Sequence, residues 1–190
     1  VQKILLNSLY GVLGLPAFRF YDVDNATAVT TTGQTVIKST ADMANIKYNK
    51  ELGDPDLDSN IYIDTDSVFF SAVPLMDKRT PNWKDEEQDT IAGYVNVIAE
   101  EMQDYLNDFY DILSTKILNV DADKHRLEIK KEYVAKAGLW VAKKRYAQWI
   151  ISDNGVPCDK LDVKGLDVKR SSFPKAFQDT MGTVLIDILR

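Results

Sequence analysis

The run from Ile61 to Phe70, IYIDTDSVFF, sets two aspartates one residue apart inside an otherwise strand-like apolar stretch. On a straight strand, Asp64 and Asp66 would face the same way as Tyr62, Val68 and Phe70, because alternate residues share a side. Carboxylates and aromatic bulk would then compete for one surface. A tight turn at Asp64-Thr65-Asp66 removes the conflict. Two short strands, 61–63 and 67–71, bury their apolar side chains, and the tip between them carries both carboxylates. Like charges held that close raise each other's pKa unless a cation neutralises them. Oxygen donors of this kind suit magnesium or manganese. An Asp-Thr-Asp turn in water accounts for the same residues without any metal, since both residue types favour turns.

The rest of the chain arranges itself around that hairpin. Residues 2–13 read as a helix ending near Gly14 and Pro16, with Lys3, Asn7 and Tyr10 on one side and Leu5, Leu9, Val12 and Leu13 on the other. Phe18 to Tyr21 reads as extended. A second helix is expected from about Asn25 to Leu52 with Asp24 as its N-cap, although its early threonines are poor helix formers. The stretch GDPDLDSN, from Gly53 to Asn60, is turn-rich. It imitates the start of an EF-hand loop, but Ser59 and Thr65 stand where that loop needs glycine and glutamate, which argues against calcium.

A long amphipathic helix is expected over about 89–118, with Ile91, Tyr94, Val95, Ile98, Met102, Tyr105, Phe109, Leu113 and Ile117 as its apolar stripe. From Arg126 to Ile151 the pattern predicts a hairpin turning near Gly138, then an Asn154-Gly155 turn and a further strand. A last helix is expected to start around Pro174. The order helix, hairpin, helix, hairpin, helix argues for an α+β fold with an antiparallel sheet.

Charge narrows the partners. The net charge is −6 over 190 residues, which taken alone argues against nucleic acid. The distribution reverses that reading: residues 84–123 hold 2 basic and 11 acidic groups, whereas residues 124–190 hold 14 and 8. A polyanion is thus expected to meet one face only, and a solvated charged surface is the alternative. No apolar run reaches the roughly 18 residues of a membrane helix, so no membrane partner is expected. The lone Cys158 excludes an internal disulfide and fits a reducing compartment, which makes the Asn25-Ala26-Thr27 sequon a chance match. His125, the lone histidine, reads as a surface residue. The chain opens on Val1 in mid-pattern and reads as a piece of a longer protein.

Five stretches, in order and spanning nearly the whole chain, carry a resemblance. KILLNSLYG (Lys3 to Gly11) is similar to the Lys-x-x-x-Asn-Ser-x-Tyr-Gly motif of family B DNA polymerases, and IYIDTDSVFF to that family's Asp-Thr-Asp-Ser motif. KKRYA (Lys143 to Ala147) resembles the Lys-x-Tyr element that grips the primer terminus. VKGLDVKRSSFPK (Val163 to Lys175) resembles the passage from palm to thumb. FRFYDVDNATAVTTTGQ resembles the replicative members of large tailed bacteriophages.

The resemblance implies an α+β palm-type antiparallel sheet with packed helices. Residues 1–13 would end the fingers helix, 14–168 form the palm and 169–190 start the thumb. It implies nucleotidyl transfer from a dNTP to a primer 3′ end with two magnesium ions, Asp66 ligating both and Asp64 supporting. Lys3, Asn7 and Tyr10 would face the incoming nucleotide, with Gly11 letting backbone approach the base pair. Lys143, Lys144 and Tyr146 would contact the primer end, Lys144 and Tyr146 from one strand face through minor-groove acceptors. Lys164, Lys169 and Arg170 would hold the duplex backbone, with Ser171 and Ser172 as neutral donors. Residue by residue, surface lysines, core packing of Tyr10 and an edge-protecting lysine pair are the plainer accounts.

No match to the family's upstream aspartate motif precedes Lys3 or follows it. The chain is therefore expected to be an excised portion or one half of a split polymerase, with negligible activity by itself. Its partners would be primer-template DNA, dNTP, the N-terminal remainder of the polymerase and, through an exposed sheet edge, a second copy of itself. A phage source would place it in the cytoplasm of an infected bacterial cell. A non-catalytic nucleic-acid-binding module and another palm-fold enzyme such as a nucleotide cyclase are the competing readings.

Overall fold

A computed structural model describes Ser8, residues 10–169 and residues 171–190 of the chain. Residues 10–13 are helical, and the chain then passes through successive turns: Leu15 N–H donates to the Val12 carbonyl, Phe18 to Leu15, and Tyr21 to Phe18. The extended segment expected at Phe18–Tyr21 is thus replaced by turns. The bond from Asp22 N–H to the Leu13 carbonyl closes this loop and delivers Asp22 to the start of the next helix.

Helix α1 (Val23–Leu52) is capped by Asp22, whose carboxylate accepts from Asn25 N–H at 3.0 Å and from the Asn25 side chain at 2.7 Å. The cap lies two residues before the expected Asp24, which instead falls in the first turn, where a negative charge favours the helix dipole. The threonine run is tolerated because Thr30, Thr31 and Thr35 turn their hydroxyls back onto carbonyls of the preceding turn. Only the second half is buried, through Ile37, Thr40, Ala41, Ala44 and Tyr48. Gly53, at φ 77°, ends the helix in the left-handed region.

Strands β1 (Asn60–Asp64) and β2 (Ser67–Phe70) form the expected hairpin, with Asp64 paired to Ser67 and Tyr62 to Phe69. The hairpin is seated on α1. Asn60 donates to the Ala41 carbonyl at 3.0 Å, Ser59 N–H donates to the Asn45 side chain, and the Phe70 ring meets Tyr48 edge-on at 5.4 Å. The Asp58 carboxylate is spent on Asn45 and on Asn60 N–H, as a turn acceptor.

A short helix, α2 (Val73–Arg79), and a 3₁₀ turn lead to α3 (Gln88–Ile112), which widens into a π-helical stretch, Leu113–Ile117. The buried stripe of α3 is Ala92, Ile98, Met102, Leu106 and Tyr110. Most of the expected stripe faces the core: Ile98, Met102 and Leu113 are buried and Ile91, Val95 and Tyr105 pack against the helical cluster, while Ala92, Leu106 and Tyr110 widen the buried face and Tyr94 is 36% exposed. At the end of the π-helical stretch Ile117 is 67% exposed. His125 is not a free surface residue. Its side chain is largely buried, with Nε2 3.0 Å from Asp111.

Strands β3 (Tyr133–Ala142), β4 (Arg145–Asp153) and β5 (Val156–Lys164) make a second antiparallel sheet in that order. Its first turn is Lys143-Lys144, not Gly138, which pairs with Gln148 in mid-strand. Gly138 is there for packing. A Cβ on it would lie 2.3 Å from the Trp140 indole, which fills that space. The Asn154-Gly155 turn has both residues at positive φ, 50° and 81°, as that dipeptide favours. Helix α4 (Lys175–Leu189) starts after Pro174, as expected.

Two hydrophobic bodies result. Ala44, Tyr48, Leu75, Met76, Ile98, Met102 and Leu106 join the three helices α1–α3, while Ala147, Trp149, Ile151, Val163, Leu185 and Leu189 join the three-stranded sheet to α4, with Ala92 bringing α3 into this second cluster. Val95 on α3 packs against both. The fold is α+β, with its antiparallel pairing divided between two sheets. Among the described residues no helix is long and apolar enough to cross a membrane.

Candidate active site

The two hairpins meet at their tips. Tyr62 and Phe69 are a cross-strand pair on one, Trp140 and Tyr146 on the other. The four rings cluster, mostly tilted or edge-on: Tyr62 lies 5.6 Å and Phe69 5.7 Å from Tyr146, and Phe69 lies 6.0 Å from Trp140. Such ring pairs prefer offset and edge-on contacts and add about 0.5–1.5 kcal/mol beyond their area burial. This aromatic junction fixes the acidic tip beside the lysine turn.

At the acidic tip Thr65 takes φ 51°, which closes the turn, and the Ser67 hydroxyl donates to the Asp64 carbonyl at 3.1 Å. The cation that meets this tip is Lys144. Its ammonium donates to Asp64 Oδ1 at 2.7 Å and to Thr65 Oγ1 at 3.2 Å, while Thr65 itself donates to Asp64 Oδ1 at 3.0 Å. Like-charge repulsion therefore does not govern Asp64. The Lys144 hydrogen bond, aided by Thr65, holds its carboxyl below the usual range despite partial burial, and Asp64 in turn raises the Lys144 ammonium. Asp66 is exposed and makes no side-chain hydrogen bond or ion pair among the described residues.

Lys144 itself sits at φ 60°, in the turn, so it does not share a strand face with Tyr146 as the sequence suggested. Tyr146 is 8% exposed and packs into the aromatic junction, and burial raises its phenol. Lys143 is exposed in the same turn. Lys164 pairs with Tyr146 across β4 and β5, and its ammonium stands 3.4 Å from Asp162. Lys169 is exposed at the end of a 3₁₀ turn, Asp167–Lys169, with Ser171 and Ser172 exposed beyond it. Tyr10 is 41% exposed in the first helical turn, and among the described residues no hydrogen bond or ring contact ties it to the hairpins. Lys3, Asn7 and Arg170 lie outside the described residues.

Two contributors escaped the sequence reading. The Tyr62 hydroxyl accepts the Lys144 backbone N–H at 2.7 Å, and Gly165, at φ 62°, lies so close to the same turn that a Cβ would fall 2.0 Å from the Lys144 carbonyl oxygen. The signals were thin: Tyr62 shares the Asp64 face by strand alternation, and Gly165 follows a strand end.

The donor set can be tested against a metal. Lys144 and Thr65 both occupy Asp64 Oδ1, which leaves Oδ2 and the Asp66 carboxylate as hard oxygen donors on one turn. These fit part of the shell of a hard divalent ion. Among the described residues no group of three or more His, Cys, Asp or Glu gathers to complete it.

Known proteins show what this chain is similar to. The model for DNA polymerase family B matches residues 1–81. The chain is 32% identical over 200 residues to the DNA-directed DNA polymerase of Enterobacteria phage T4, covering 100% of this chain and 22% of that protein. It is 30% identical over 201 residues to the DNA-directed DNA polymerase of Escherichia phage RB69, covering 95% of this chain and 21% of that one. Over nearly its whole length the chain is similar to family B DNA polymerases. The likeness is not confined to phage members: the DNA polymerase alpha catalytic subunit of Mus musculus is 28% identical over 189 residues, with 98% of this chain and 10% of that protein covered. The chain spans about a fifth of the length of these phage relatives.

Proposed function

We propose that this chain is the palm segment of a template-directed DNA polymerase, flanked by the end of the fingers (1–13) and the start of the thumb (169–190). It would serve nucleotidyl transfer from a dNTP to a primer 3′ end. The observation that supports this most directly is the meeting of Asp64 and Lys144 at 2.7 Å, which sets an acidic tip and a basic turn side by side. Asp66, with Asp64 in support, would hold magnesium. When bound, that ion neutralises triphosphate charge and polarises the attacking and leaving oxygens.

The chain's own residues divide the remaining work. Lys144 would reach the primer end while steadying Asp64, and Lys143, Lys164, Lys169 and Arg170 would hold duplex phosphates, giving an affinity that falls with salt. Tyr146, with its ring buried, would act as the rigid wall behind the primer-terminal pair. Lys3, Asn7 and Tyr10 would border the nucleotide.

Two carboxylates make only part of a metal site, so further ligands must come from another strand. The open edges of the two-stranded β1–β2 sheet are the natural place for that strand, or for a second copy of the chain, to pair. The 190 residues by themselves are expected to extend primers negligibly, in the manner of one half of a split enzyme. The test is reconstitution. The chain is mixed with an N-terminal polypeptide carrying the upstream aspartate motif, and given primed template, dNTP and magnesium. Extension should appear on mixing and vanish with Asp66→Ala. Extension that survives Asp66→Ala, or primed-DNA binding indifferent to salt, would refute the assignment.

A further inference from the structure

Strand β1 grips one lysine twice. Tyr62 and Asp64 are two residues apart on the same strand face, separated by two rises of about 3.3 Å. Tyr62 accepts the Lys144 backbone N–H at 2.7 Å, and Asp64 accepts the ammonium of that same residue at 2.7 Å. The step along β1 matches the reach of one lysine from its amide to its side-chain tip. Gly165 closes the third side, against the Lys144 carbonyl. A lysine at φ 60° is an uncommon conformation that its surroundings must impose. Here the surroundings are an acceptor on one side and a bare backbone on the other.

We infer that Tyr62 is a positioning residue, whose hydroxyl sets the Lys143-Lys144 turn at the height from which Lys144 reaches both Asp64 and a primer end. The part of this that concerns DNA rests on the polymerase reading above, whereas the part that concerns the turn does not. Tyr62→Phe is the appropriate variant, because it keeps the ring in contact with Tyr146 and Phe69 and removes only the acceptor. An ordinary structural ring at this position would not register the change at Lys144.

The experiment uses the 190-residue chain with two readouts. The first is amide hydrogen exchange and ¹⁵N shift at Lys144 in wild type and Tyr62→Phe. Loss of one hydrogen bond should speed exchange at this amide by about fivefold, while amides of β4 stay unchanged. The second is affinity for a fluorescent primer-template in wild type, Tyr62→Phe, Lys144→Ala and the double variant. Tyr62→Phe should weaken binding by about threefold to tenfold, and the double variant should bind no more weakly than Lys144→Ala, as expected if one residue acts through the other. Unchanged exchange at Lys144, or losses that multiply in the double variant, would overturn the inference. If exchange responds but wild type does not bind primed DNA, the polymerase reading fails and the positioning of the turn stands.

Discussion

Replacing Gly165 by alanine probes how tightly the lysine turn is seated. Two effects act at this position. The backbone lies at φ 62°, where a Cβ costs about 1–2 kcal/mol. The added carbon would also fall 2.0 Å from the Lys144 carbonyl oxygen and 3.1 Å from its carbon, both backbone atoms that no rotamer change can move. Relieving such an overlap costs a further ~1–3 kcal/mol, so the total is about 2–5 kcal/mol. Gly155 is the matched comparison: its φ is 81°, but nothing lies within 4 Å of the site of a Cβ, so Gly155→Ala should show the backbone term alone. In urea, with a slope of about 2 kcal/mol/M, Gly165→Ala should lower the unfolding midpoint by roughly 1–2.5 M and Gly155→Ala by less than about 1 M. Equal midpoints for the two variants would show that the turn yields freely to the new atom, and the seating argument would fail.

Three further outcomes follow from the same contacts. Removing the ammonium with Lys144→Ala should let the Asp64 carboxyl rise towards the ordinary range, as read by carboxylate ¹³C titration, and an unmoved Asp64 would refute the pairing. Because the folded value is depressed, the stabilisation it brings is present above the ordinary carboxylate pKa of about 3.9 and is lost as pH falls through the folded value, so the variant should unfold with a flatter pH dependence on the acid side. In the helical core, Thr40 and Tyr110 share a buried hydrogen bond of 2.8 Å, but Thr40 also bonds the Val36 carbonyl at 2.8 Å. Tyr110→Phe therefore leaves Thr40 partnered and should cost about 0.5–1.5 kcal/mol, whereas Thr40→Val strands the phenol and should cost about 1–3 kcal/mol. Urea unfolding that ranks the two variants the other way would contradict this account.

What could be read without the structure was whatever is decided locally. Two carboxylates cannot share a buried strand face, and the chain meets that rule by ending β1 at Asp64 and setting Thr65 and Asp66 in the turn. Asn154-Gly155 and Pro174 also fell in place, since each answers a backbone demand of its own neighbourhood. The errors came where a distant partner decides. Gly138 looked like a turn because glycine serves turns and close packing equally, and only the indole of Trp140 resolves which. Lys143-Lys144 contains no turn residue, and its conformation is held by Tyr62, 82 positions earlier, and by Gly165. The helix cap moved from Asp24 to Asp22 because the fold of the preceding turns, through Leu13, determines which aspartate arrives at the helix start. The stripe of α3 shows the same limit in a milder form: apolar spacing found the helix and most of its covered face, but only the neighbours determine that Ala92, Leu106 and Tyr110 are buried as well.

The acids hang from the body built on α1 and α3, while the lysine turn belongs to the body built on the three-stranded sheet. The two are joined through Ala92 and Val95 on α3, the bonds between Asn107 and Ile129 and between Gln103 and Lys131, and the four rings of the junction. The Asp64–Lys144 pair therefore straddles a seam. Its working dimension is the offset between two separately packed halves, so a volume change deep in either interior retunes the gap from Asp64 to Lys144 without altering a single charge.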